Sequence, residues 1–223
     1  MKIKILVILL LFSNYMISNA NENSKKLNVC ILIYNDVYLL DFAGPLELFY
    51  DTQLQDGNKA FDVFLVAPDN SKIKTHTGTI INPDFDITNC PVPDILVVPG
   101  GNLSLATDYP LVAEFIKNNS KNCKILMSVC TGSFILADLG LLDGKEVTTW
   151  YGAKDKLQKK YPKIKISNKR FTDCENIITT AGISAGIDGS FYVVKKIYGE
   201  EIMNNTAKYI EWDLKTLNES IQK

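Results

Sequence analysis

From Leu27 onward, short apolar runs rich in β-branched residues alternate with longer stretches whose apolar positions recur every three to four residues. The runs are Asn28 to Tyr34, Phe61 to Ala67, Asp94 to Pro99, Lys124 to Val129 and Asn176 to Thr179. They are brief and bounded by turn residues, as strands buried on both faces are. Pro45 to Gln55, Leu111 to Asn118, Gly132 to Leu139, Gly152 to Lys160 and Ser184 to Tyr198 show helical spacing. Strand and helix in repetition predict an α/β fold, a three-layer sandwich with a mostly parallel central sheet. Lys72 to Ile81 and Ile164 to Cys174 are expected as hairpins or edge strands, and Glu200 to Leu217 as a docked helix.

Ahead of this pattern, Lys2 and Lys4 precede an unbroken apolar run from Ile5 to Phe12, and Ser18-Asn19-Ala20 offers a small-residue cleavage end. Residues 1–20 are therefore expected to be a signal peptide, and 21–223 a single domain exported to a periplasm or beyond, or cytoplasmic if the signal goes unused. The run is too short for a permanent membrane helix, which needs about 20 apolar residues, so no stable anchor is expected after cleavage. The chain has 24 basic and 25 acidic residues, for a formal charge of -1. Removing residues 1–20 takes away two lysines and no acid, leaving 22 basic residues against 25 acidic ones. Such a balance gives no drive toward phosphate backbones, and no nucleic-acid partner is expected. Cys30, Cys90, Cys123, Cys130 and Cys174 make an odd count, so at least one stays free, and spacing does not reveal pairing of the others. With one histidine, His76, and no Cys-x-x-Cys, neither a metal nor a cofactor is expected.

In an open parallel sheet, ligands meet the chain where strands end and helices begin. Cys130 follows the run Lys124 to Val129 directly, and Thr131-Gly132-Ser133 then opens a helix, the layout of a nucleophile elbow. A cysteine there is expected to gain thiolate character from backbone amides and the helix dipole, with the Thr131 amide facing a developing oxyanion. The paired glycines Gly100 and Gly101 after Val97-Val98-Pro99 allow close approach of amides to a ligand and are expected to supply the second donor. In Asp41-Phe42-Ala43-Gly44-Pro45-Leu46-Glu47, Pro45 suits the first helical position, which would make Gly44 the cap and put Glu47 in the first turn. Asp41 would then project from the preceding loop toward the strand ends as a general acid or base, with Glu47 a secondary candidate. Small residues in Thr180-Ala181-Gly182-Ile183-Ser184-Ala185-Gly186-Ile187-Asp188 make room either for a ligand or for tight helix-to-sheet packing. His76 lies in the hairpin expected over Lys72 to Ile81, where an imidazole is usually incidental.

Together these junctions, in DFAGPLELF, VVPGG, SVCTGSFILADLGLLDG and TTAGISAGID, resemble the PfpI-like branch of the class I glutamine amidotransferase superfamily. The nearest subgroup is that of isonitrile hydratase and the amidase-like domains of AraC-type regulators. The resemblance implies a flavodoxin-like sandwich and a homodimer. It also implies Cys130 as nucleophile, Asp41 as the acid, Thr131 as its assistant and Gly101 in the oxyanion hole; Gly100, Gly132, Ile183, Ser184 and Trp150 complete the expected binding set. Members of the subgroup usually carry Thr-Thr-His-Trp where this chain reads Thr148-Thr149-Trp150-Tyr151, so an indole replaces the imidazole and no Cys-His pair forms there. Only 35 residues follow the GISAGID segment, too few for the roughly hundred-residue pair of helix-turn-helix units of a regulator, so no DNA-binding domain is expected.

Two functions follow from these expectations. One is a cysteine-dependent hydratase or hydrolase that converts a small-molecule substrate such as an isonitrile to an N-substituted formamide through a thioimidate; dicarbonyls are a neighbouring substrate class. The other is a non-catalytic ligand-binding or redox-sensing module.

Overall fold

The computed structural model describes residues 26–101, 108–215 and 217; the signal-peptide segment 1–20 lies outside them. A seven-stranded sheet forms the centre. Its strands are β1 (Leu27–Leu32), β2 (Phe61–Ala67), β5 (Phe85–Asp86), β6 (Ile95–Val98), β7 (Ile125–Ser128), β10 (Phe171–Cys174) and β11 (Ile177–Thr180). In space they run β10-β11-β7-β6-β1-β2-β5, all parallel to their neighbours except β10 against β11. Two small ribbons stand apart from the sheet. β3 (Ile73–Lys74) pairs antiparallel with β4 (Ile80–Ile81), and β8 (Glu146–Val147) pairs parallel with β9 (Lys165–Ile166).

Every residue of β6, β7 and β11 is buried, because helices cover both faces of the sheet and leave no solvated side for alternation. The helices are α1 (Leu39–Asp51), α2 (Pro110–Ser120), α3 (Gly132–Asp138), α4 (Lys154–Lys160), α5 (Ala185–Tyr198) and α6 (Glu200–Tyr209). A 3-10 turn, Tyr151–Ala153, leads into α4. Gly199, at φ 90°, ends α5 and opens α6, which stops at Tyr209, short of the sequence expectation of Leu217.

The largest displacement from the sequence expectation is at α1. Apolar side chains at Leu39, Phe42, Leu48 and Phe49 keep helical spacing from Leu39 onward, so the helix starts six residues before Pro45. Pro45 lies inside α1, not at its first position, and Gly44 is no cap. The proline removes the donor that would meet the Asp41 carbonyl, a tolerable loss near a helix start.

Strand register sets the place of the site. Val98 of β6 pairs with Ser128 of β7, which pairs with Thr179 of β11. The three strands therefore end level, and the segments 99–101, 129–131 and 181–183 emerge side by side at one edge.

Candidate active site

Cys130 takes φ 57°, a left-handed conformation that costs energy in any residue bearing a Cβ. The surrounding chain holds it there. Its carbonyl accepts hydrogen bonds from Thr149 Oγ1 at 2.9 Å and Ser133 Oγ at 3.2 Å, and its N–H donates to the Ala181 carbonyl at 3.2 Å. The Gly132 N–H closes the turn on the Val129 carbonyl at 2.9 Å. At Gly132 a Cβ would fall 2.1 Å from the Val98 carbonyl oxygen, so this glycine serves the close approach of the elbow to β6 and does not line the cavity, contrary to the binding role expected from sequence.

Asp41 reaches the site from the first turn of α1, not from a loop, and is fully buried. Two hydrogen bonds clasp that turn to the end of β6. The Tyr38 N–H donates to the Gly100 carbonyl at 3.0 Å, and the Gly100 N–H donates to Asp41 Oδ2 at 3.1 Å. A Cβ on Gly100 would meet Asp41 Oδ2 at 2.7 Å, Thr131 Oγ1 at 2.8 Å and the Cys130 Cβ at 3.0 Å. Only glycine leaves room for these three groups to converge.

Burial raises the Asp41 carboxyl from its ordinary 3.8 to about 6, against the opposing hydrogen bond from Gly100. The Cys130 thiol and the Ile183 amide beside it also favour its charge, yet neither meets Oδ1 in good geometry, and Oδ1 has no hydrogen-bond partner. Burial likewise pushes the Cys130 thiol up, to about 12, and the neighbouring Asp41 charge pushes the same way. The amides of Thr131 and Ile183 oppose that rise. The expectation of a freely formed thiolate is therefore corrected, because desolvation and a like charge outweigh the amides, and α3 has only seven residues to supply a dipole. The two groups titrate as a pair that holds one proton between about 6 and about 12 and carries one negative charge. Beneath them the Tyr34 hydroxyl donates to the Pro99 carbonyl at 2.7 Å.

Of the expected oxyanion donors, the Gly101 N–H is engaged with Thr131 Oγ1 at 3.2 Å. Ile183 supplies the second amide near sulfur instead. Its φ of 56° is an outlier for a β-branched side chain and aims its backbone at the cysteine. Ser184 stands off the cavity with its hydroxyl accepting Arg170 Nη2 at 3.3 Å, and exposed Glu47 is the ninth residue of α1, not a first-turn acid. Neither joins the constellation.

Above the pair lies a cavity of about 310 Å³ lined by Cys130, Thr131, Gly101, Ile183, Trp150, Tyr38, Gly152, Ala153 and Lys156. Its volume sits at the lower end of ligand pockets, which span roughly 300 to 1,000 Å³. Tyr38, Lys156 and Thr149 were missed in the sequence. Only Thr149 had a signal, in the Thr-Thr pair before Trp150. His76 packs against Tyr38 with ring centroids 4.6 Å apart and the rings tilted by 41°, and does not line the cavity. All five cysteines are free. Among the described residues no group of three His, Cys, Asp or Glu side chains could hold a metal ion, and no helix is long and apolar enough to cross a membrane.

A doubly covered parallel sheet with a strained cysteine at a strand end, paired to a buried carboxylate, defines a flavodoxin-like α/β protein of the cysteine-elbow type. Residues 27–196 match the model of the DJ-1/PfpI family, and the chain belongs to that family. It is similar to an isonitrile hydratase from Pseudomonas putida, 30% identical over 189 residues that span 84% of this chain and 78% of that one. It is also similar to the HTH-type transcriptional regulator GbdR from Pseudomonas aeruginosa, 23% identical over 184 residues, 81% of this chain but only 49% of the regulator. Among solved structures, a THiJ/PfpI family protein from Pseudomonas syringae superposes with a TM-score of 0.76 at 25% identity, covering 85% of this chain and 76% of that one.

Proposed function

We propose that the protein is a cysteine-dependent hydratase of small electrophiles, with an isonitrile as the substrate class. The observation that carries this reading is the convergence of buried Asp41, Thr131 and Cys130 around Gly100 beneath a small, mostly apolar cavity. Asp41 takes the thiol proton as Cys130 Sγ attacks the isonitrile carbon, and returns that proton to the same carbon, giving a thioimidate, R–N=CH–S–Cys. The Thr131 and Ile183 amides favour the charge on sulfur during attack. Asp41 then deprotonates water, which adds to the thioimidate carbon. Asp41 hands that proton to the imidate nitrogen, and collapse expels Cys130 sulfur, which takes the remaining hydroxyl proton through Asp41, releasing R–NH–CHO. One water is consumed per turnover. A cleaved leader at residues 1–20, export and a homodimer belong to the same proposal.

Purified protein with reduced Cys130 is expected to convert an aliphatic isonitrile to its formamide, and Cys130→Ala to abolish the reaction. Absence of turnover on isonitriles and on methylglyoxal would end this reading. A second reading is favoured by Trp150, which leaves the pair without an imidazole to carry protons: a receptor whose cysteine is modified but does not turn over. Intact mass after mild peroxide separates the two, since an adduct at Cys130 with no turnover of either substrate supports the receptor.

A further inference from the structure

Among the described residues, Lys156 is the only charged side chain that lines the cavity apart from the cysteine pair's own charge. It comes from α4, where Lys154 Nζ donates to Asn168 Oδ1 at 3.1 Å and Lys160 pairs with Asp138 at 2.9 Å. No acidic group among the described residues stands within ion-pair distance of Lys156. Its Nζ lies 6.0 Å from the centre of the Phe134 ring.

The cavity is therefore polarised. Buried Cys130 and Thr131 lie at its floor beside a net negative charge, half-open Trp150, Ile183 and Tyr38 form apolar walls, and exposed Lys156 stands at the mouth. A neutral ligand filling this space would strip water from an ammonium group and give nothing back. A carboxylate there would replace that water with charge-assisted hydrogen bonds, and the floor's own charge would keep the same carboxylate away from the sulfur. Resting on the proposed reaction, we infer that the substrate carries a carboxylate separated by an apolar spacer from its reactive carbon, and that Lys156 selects it. The spacer runs between the Trp150 and Tyr38 rings, the reactive carbon sits at Cys130, and the carboxylate faces Lys156.

The test compares 4-isocyanobutanoate with its neutral methyl ester and with an ammonium-bearing isonitrile of equal length. The wild-type protein is expected to favour the carboxylate about fivefold in kcat/KM, through KM, as an ion pair at an exposed mouth allows. Lys156→Gln removes that preference and Lys156→Glu turns it toward the ammonium compound. Equal use of carboxylate and ester, or a preference that survives in Lys156→Gln, overturns the inference while leaving the reaction standing. If no isonitrile is turned over, the reaction fails and binding decides the anion site. Pentanoate shifting the NMR signal of the Trp150 indole N–H at about fivefold lower concentration than pentanamide, with the difference lost in Lys156→Gln, supports it; equal affinities overturn it.

Discussion

Gly182 faces the indole of Trp150 so closely that a Cβ on the glycine would fall 2.4 Å from Cδ1, and Gly152 closes on the far edge of the ring, at 2.6 Å from Cη2. The indole stands in a slot cut by two glycines and forms a fixed wall of the cavity. The small residues around the start of α5 thus serve two ends. Gly182 makes room for Trp150, whereas Gly186 allows close packing on Val129, 2.7 Å from where its Cβ would be.

Gly182→Ala is expected to displace the indole toward the cavity, because Gly152 closes on the other edge of the ring. Overpacking of this kind costs about 1 to 3 kcal/mol. The check is a lowered Tm together with a shifted Trp150 fluorescence maximum; an unchanged spectrum would mean that the slot is looser than described.

Gly100→Ala pushes the buried groups of Asp41, Thr131 and Cys130 apart. A misplacement of about 1 Å at reacting groups costs roughly 100-fold in rate. The expected result is a loss of that size in kcat/KM, with a lowered Tm beside it because the displaced groups are buried.

Asp41→Asn is expected to stabilise the fold while removing activity. A buried carboxyl whose value rises from 3.8 to about 6 binds its proton more tightly folded than unfolded. Its contribution to stability is therefore complete below about 4 and lost as pH rises through about 6. Above that the buried charge costs up to about 3 kcal/mol. The amide keeps the acceptor for the Gly100 N–H. Urea unfolding at pH 8 should show the variant more stable than wild type, with the advantage shrinking toward pH 4.

Asp188→Ala should loosen the Ile183 turn from a distance. Asp188 is buried, pairs with Arg170 at 2.5 Å and accepts Trp212 Nε1 at 3.2 Å, while Arg170 reaches back to Ser184. A loss of about 2 kcal/mol is expected, below the cost of a sealed pair because a third of Arg170 stays exposed. Denaturant melts measure it.

The strands and the cysteine elbow were legible because β-branched runs buried on both faces and a Cys-Thr-Gly-Ser junction are local signals. Asp41 was expected in a loop and lies in the first turn of α1. Pro45 reads as a helix start, and only the tertiary packing of Leu39 and Phe42 overrides that signal. The exchange of Gly101 for Ile183 as the amide donor was illegible, since it depends on a strained φ in one residue and a hydroxyl partner for another. Lys156 lies on a helix dense in lysine, where sequence offers no way to tell a pocket residue from a solvated one.

The shared proton is tested most directly by the rate of Cys130 alkylation with iodoacetamide against pH. In a pair holding one proton, the split between thiol and thiolate does not change with pH. The rate is therefore expected to rise through about 6 and then stay level past 9, and Asp41→Asn should move the rise to the alkaline range. A single rise near the ordinary thiol value of about 8.5, the same in both proteins, would contradict it.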